Sequence, residues 1–180
     1  MKEYNISNKF IEYSGKFNDN QLVSQVLKFF LNQKININVL DDKIRRDFVG
    51  LSTLYGIYFD LKRLDEQPDN LKCFIILHEL AHVKRIKKLG KNKVISDLSE
   101  TNFDLFCDKV INEEIIADRY ASLLYFKLTK KKYPEYMTQG LHIKSKRDMY
   151  KQFLKFTFGL NDGTEETYKK KLKEVFKIDV

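Results

Sequence analysis

The chain has 180 residues, 43% of them apolar and 13% aromatic, with 14 Phe and 10 Tyr. That is enough to bury a sizeable core as a single domain over residues 1–180 without help from disulfides. Its net charge of +8 speaks to solubility and loose association with acidic partners, not to one ligand. No apolar run is long enough to cross a bilayer, and the opening MKEYNISNKF lacks the apolar stretch of a signal peptide, so the expectation is a soluble, cytoplasmic protein without a membrane partner.

In chain order, NKFIEYSGKF alternates weakly and predicts a short edge strand. NDNQLVSQVLKFFLNQ then places Leu22, Val23, Val26, Leu27, Phe30 and Leu31 at helical spacing, with Asp19 or Asn20 as its cap. ININVLD alternates strictly, Ile35, Ile37 and Val39 against Asn36 and Asn38, and predicts a half-buried strand. STLYGIYFDL, rich in β-branched and aromatic residues, predicts a second strand with Gly56 in its middle, where a glycine marks a bulge or the close approach of another backbone.

Pro68-Asp69 announces a helix that runs to a left-handed stop at Gly90, with Lys84, Arg85, Lys87 and Lys88 crowding its negative end. A further long helix starts near Thr101, with Asp104 as an aspartate variant of the capping box and Phe106, Val110, Ala117, Ala121, Leu124 and Leu128 on one stripe. After Pro134 two more amphipathic helices are expected, at about 144–158 and 164–177, whose apolar stripes close the core or dock a partner. Cys73 and Cys107 fall inside apolar helical patterns and read as buried thiols of a reducing compartment. The fold class expected is α+β, with the strands in residues 1–100 and a helical part over 101–180.

The stretch LHELAHVKR holds two of the three histidines, His78 and His82, four residues apart with Glu79 directly after the first. On a helix that spacing points both imidazoles from one face, so they converge on one zinc ion, while Glu79 reaches a water beside it as general base. Two histidines and a glutamate within a helix as apolar as CFIIL need something to pair them, and a metal does that.

A catalytic zinc needs a third protein ligand and an open position. His142 is one candidate. Stronger ones lie in NEEIIADRYAS, where Glu114, Ala117, Asp118 and Ala121 share a face. Glu114 completes the shell, Asp118 accepts the free N–H of a ligating histidine, and the alanines let the two helices pack closely. Glu113 points about 100° away, toward solvent.

HELAH followed by Glu114-Ile115-Ile116-Ala117-Asp118-Arg119-Tyr120-Ala121 resembles the gluzincin metallopeptidases, in which an HExxH helix and a later E-x-x-x-D helix together bind zinc. The likeness covers about residues 54–126 and is nearest to the soluble ImmA/IrrE-like family. The HtpX-like membrane peptidases share the motif, but this chain lacks their spanning segments. The resemblance implies a zincin-like fold and a Zn2+ cofactor. It also implies endopeptidase activity on a protein or peptide substrate, such as a regulatory repressor. A strand before the zinc helix, here Tyr55, Gly56 and Ile57, is implied to bind substrate along its edge. An oxyanion stabiliser is expected downstream, at His142, Tyr136 or Arg147.

Three other readings compete. A SprT-like protease working near DNA, with His142 as third ligand, would suit the basic runs VKRIKK, KLTKKK and YKKKLKEVFK, although no recognised nucleic-acid module accompanies them. A zinc-binding regulatory module that sequesters a partner without proteolysis is the second, and intact Glu79 speaks against it. A metal-free helical protein is the third.

Overall fold

The computed structural model describes residues 4–40, 49–90, 93 and 103–133, with the side chains of Phe103, Asp104, Phe106 and Cys107 excepted. The expected helices at 144–158 and 164–177, the Thr101–Asp104 cap, and His142, Tyr136 and Arg147 lie outside the described residues. The described elements are α1 (Asn8–Gly15), α2 (Gln21–Leu31), β1 (Ile37–Val39), β2 (Gly50–Thr53), β3 (Gly56–Phe59), α3 (Leu61–Asp65), α4 (Asp69–Leu89) and α5 (Phe103–Thr129). They make an α+β chain with a small sheet and a largely helical remainder, as the order of patterns predicted. No described helix is long and apolar enough to cross a membrane.

By contact density the chain divides into Met1–Arg85 with Ile116–Tyr133, and Ile86–Ile115 with Pro134–Val180. The first unit holds the sheet and the core. Of the second, the described part is the end of α4, Gly90, Lys93 and the first half of α5.

The segment predicted as an edge strand at the N-terminus is instead helix α1. Its buried residues are Phe10 and Tyr13, three apart, with the half-buried Phe17 continuing the stripe at a spacing of four, which is a helical period that the exposed Ile11 masks. Among the described residues of this segment it is Ile6, before the helix, that makes a parallel bridge to Ile37. In α2 the Asn20 side chain caps the helix by accepting from the Val23 N–H at 3.2 Å, and its amide donates to Asp69 Oδ2 at 2.7 Å. One residue thus starts one helix and fastens it to the first turn of another.

The sheet has the order β1-β3-β2, with β1 parallel and β2 antiparallel to β3. STLYGIYFDL is therefore not one strand but most of a hairpin, turning at Leu54-Tyr55. The two central positions of that turn hold no glycine, proline or asparagine; Thr53 Oγ1 closes it, accepting from Tyr55 N–H and donating to Gly56 O, both at 3.1 Å. Gly56 does mark a close approach. Its φ is +152°, and a Cβ there would lie 2.5 Å from the Asn36 carbonyl oxygen, which accepts the Ile57 N–H.

Above the sheet the rings of Phe10, Phe30 and Phe59, each fully buried, meet with centroids 5.3–5.9 Å apart. Helix α4 is buried on most of its circumference in its first four turns, from Lys72 to Val83, as befits a helix running through a core. Lys72, only 3% exposed, is paired with Asp69 at 3.4 Å and Asp65 at 3.9 Å and lies 4.4 Å over the Phe17 ring. Gly90, with φ +85°, ends α4 as expected.

Candidate metal centre

His78 and His82 lie one turn apart on α4, and that turn brings their rings edge to face with centroids 4.6 Å apart. Their Nε2 atoms face each other at 3.0 Å. His78 Nδ1 lies 3.0 Å from Asp118 Oδ1 on α5. Because the carboxylate accepts, that nitrogen carries the hydrogen and His78 Nε2 is left with its lone pair. Asp118 thus favours the tautomer of His78 whose free lone pair lies on the side facing His82.

Two Nε2 atoms that face each other can share a single hydrogen, or both can turn lone pairs on one cation. Zinc–nitrogen bonds of about 2.0–2.1 Å in a tetrahedral shell set two nitrogens about 3.3 Å apart, a few tenths of an ångström from the separation seen. Glu114 sits one helical turn before Asp118. A carboxylate oxygen of Glu114 and nitrogens of His78 and His82 all lie within 4.8 Å of one another, each residue half-buried. Two imidazoles and a carboxylate are a donor set that zinc takes while keeping a further position open. The residues fit the ion.

Glu79 belongs to the same turn of α4 and is 8% exposed. Its side chain lies against β2, where Ser52 Oγ is 2.7 Å from Oε2 and 2.8 Å from the Glu79 carbonyl oxygen. Gly50, two residues away on the same face of the strand, is where Glu79 needs room: a Cβ there would come within 2.8 Å of Glu79 Cγ. Neither Ser52 nor Gly50 was singled out from the sequence. The only available signal was their spacing of two on a strand preceding HExxH.

The remaining expectations divide. Ala81, Ala117 and Ala121 are buried. Glu113 is half-buried rather than solvent-facing, and it is not in the cluster. The substrate-strand expectation for Tyr55, Gly56 and Ile57 needs correction. Tyr55 is exposed in the hairpin turn, and Gly56 and Ile57 belong to β3, which is hydrogen-bonded on both sides and has no edge to offer. Among the described residues the end strands are β2, whose one strand neighbour is β3, and β1, which has β3 on one side and the isolated Ile6–Ile37 bridge on the other.

Lys84 belongs to the helix flank, with its ammonium 5.8 Å from the centroids of Phe29 and Tyr120. Behind His78, the Phe74 ring stacks on Tyr133 at 4.1 Å and gives that side of the histidine an apolar backing. No protein-family model, no curated protein and no solved structure matches the chain.

Proposed function

We propose that the chain is a zinc-dependent endopeptidase of gluzincin type, acting in the cytoplasm on an extended segment of a protein substrate. The observation that carries the reading is the pair of facing Nε2 atoms with Asp118 fixed behind one of them and Glu79 beside it on the helix. His78, His82 and Glu114 would hold the ion. When bound, zinc supplies the acidity that brings a water toward hydroxide near neutral pH and the positive charge that polarises a peptide carbonyl.

The chain's own residues do the rest. Asp118 keeps the hydrogen of His78 on Nδ1. Glu79 takes the proton of the attacking water on its carboxylate as the water oxygen adds to the carbonyl carbon, and then delivers that proton to the amide nitrogen, which leaves as the amine when the C–N bond breaks. The edge of β2, which no described strand covers, supports an extended substrate: a strand added there would run beside Ser52 and therefore beside Glu79.

Metal analysis of protein purified without chelators tests the reading first. About one zinc per chain is expected, retained in Glu79→Gln and lost in Glu114→Ala. A zinc content near zero in the wild type would end it. Undiminished zinc in Glu114→Ala would remove Glu114 from the ligand set. Cleavage of fluorescein-labelled casein, present in the wild type and absent in Glu79→Gln, separates a peptidase from a module that only binds.

A further inference from the structure

We propose that Ser52 and Gly50 are positioning residues for Glu79: strand β2 holds the carboxylate in one orientation, Ser52 by a hydrogen bond and Gly50 by leaving the space the side chain fills. The inference rests on the hydrolytic reading above and deepens it by assigning what aims the base.

A glutamate has three rotatable side-chain bonds, and a base that must meet a water and then a leaving nitrogen works best when few of its rotamers are open. Ser52 Oγ lies within hydrogen-bond distance of Oε2 and of the main-chain oxygen of the same residue, at 2.7 and 2.8 Å. The hydroxyl has one hydrogen and donates to one of them at a time, but both acceptors belong to Glu79. Whichever it serves, β2 is tied to that residue.

Gly50 adds an independent constraint. It has no positive φ, so nothing in its backbone calls for glycine. What calls for it is space: a Cβ would stand 2.8 Å from Glu79 Cγ, 3.1 Å from Oε1 and 3.2 Å from Cδ. All three are side-chain atoms of Glu79, with Cγ the nearest, so an added methyl and the Glu79 side chain would compete for one space. Gly56 offers the contrast, because its added Cβ would strike the backbone oxygen of Asn36. One glycine protects the fold and the other protects the aim of a side chain.

A merely structural role for Ser52, satisfying a buried carboxylate, would lower stability without changing what Glu79 does. The test therefore reads Glu79. Protein loaded with Co2+ is titrated with acetohydroxamate, which chelates the ion and gives up a proton to a neighbouring base, and binding is followed in the visible spectrum.

Ser52→Ala and Gly50→Ala are expected to keep the Co2+ affinity of the wild type and to weaken acetohydroxamate by roughly 10-fold or more, the scale on which a misplaced catalytic group costs an enzyme. Ser52→Thr restores the affinity, and neither alanine adds to the loss already caused by Glu79→Gln, because all three act through one carboxylate. Wild-type acetohydroxamate affinity in a Co2+-loaded Ser52→Ala protein, or full additivity with Glu79→Gln, overturns the inference alone. If Ser52→Ala does not fold, wild-type affinity in Gly50→Ala overturns it. Wild-type protein that takes up no Co2+ overturns the metal reading and this inference with it.

Discussion

Replacing Asp118 tests the proposed zinc centre through the carboxylate that lies behind His78. The Asp118 carboxylate accepts from His78 Nδ1 at 3.0 Å, with side-chain exposures of 18% and 16% for the two residues, so the bond is only lightly screened. A hydrogen bond to a charged group in such a setting contributes about 1.5–3 kcal/mol, and each 1.4 kcal/mol is tenfold in an equilibrium constant, so about 10- to 100-fold in metal affinity depends on it. Asp118→Asn keeps an acceptor and gives up the charge, which places it near the lower end of that range. Asp118→Ala also frees His78 to carry its hydrogen on Nε2, where the metal would bind, and belongs near the upper end. Competition for Zn2+ against a chromophoric chelator at fixed neutral pH measures both, with far-ultraviolet circular dichroism to confirm the fold. Unchanged affinity in Asp118→Ala would refute the reasoning, since His78 would then need nothing behind it.

Phe59→Ala removes the ring shared by Phe10 and Phe30 and is expected to cost about 3–5 kcal/mol in urea unfolding. Gly56→Ala meets both a positive φ and the Asn36 oxygen and destabilises by more than about 1 kcal/mol, whereas Gly15→Ala, with open space around its Cβ position, is neutral or stabilising; equal midpoints for the two would contradict the backbone argument. Tyr13 has a buried hydroxyl for which no partner is found among the described residues, so Tyr13→Phe is expected to leave stability unchanged or raise it. Burial, with Asp69 adding to it and Lys72 opposing, pushes the Cys73 thiol from 9.0 up to about 12. The unfolded chain therefore releases this proton first: stability is intact below pH 9.0 and falls as pH rises toward 12, and urea midpoints across that window should fall less steeply in Cys73→Ala. Tyr13 and Tyr125, also raised mainly by burial, keep some of the slope in that variant.

Helical spacing made the centre readable. His78, His82, Glu114 and Asp118 are related by intervals of four, and a helix converts that interval directly into a shared face, so both the facing imidazoles and the supporting carboxylate followed from sequence. Asn20 as a cap and Gly90 as a stop were equally local. What escaped depends on partners distant in the chain or on turns without their usual residues. Helix α1 was missed because Ile11, exposed at 49%, fills a gap in the Phe10–Tyr13–Phe17 stripe and simulates alternation. The hairpin was missed because Thr53 makes its turn with a side-chain hydroxyl. Strand order is a non-local property, so β3 as the central strand, with β2 at one end of the order among the described residues, could not be read from either strand alone. Ser52 and Gly50 acquire meaning only once β2 is laid against α4.

The burial of α4 has a consequence for how an ion would leave and return. The helix is enclosed from Lys72 to Val83 and fastened at its start through Asp69 and Asn20, so the turn bearing the histidines is held by the core and not by a metal. Small zinc domains unfold when stripped, because the ion supplies their folding energy. Here a chelator should remove the ion and leave the imidazoles standing, and the stripped protein should reload at the pace of ion entry, with no refolding phase and little change in its helical signal.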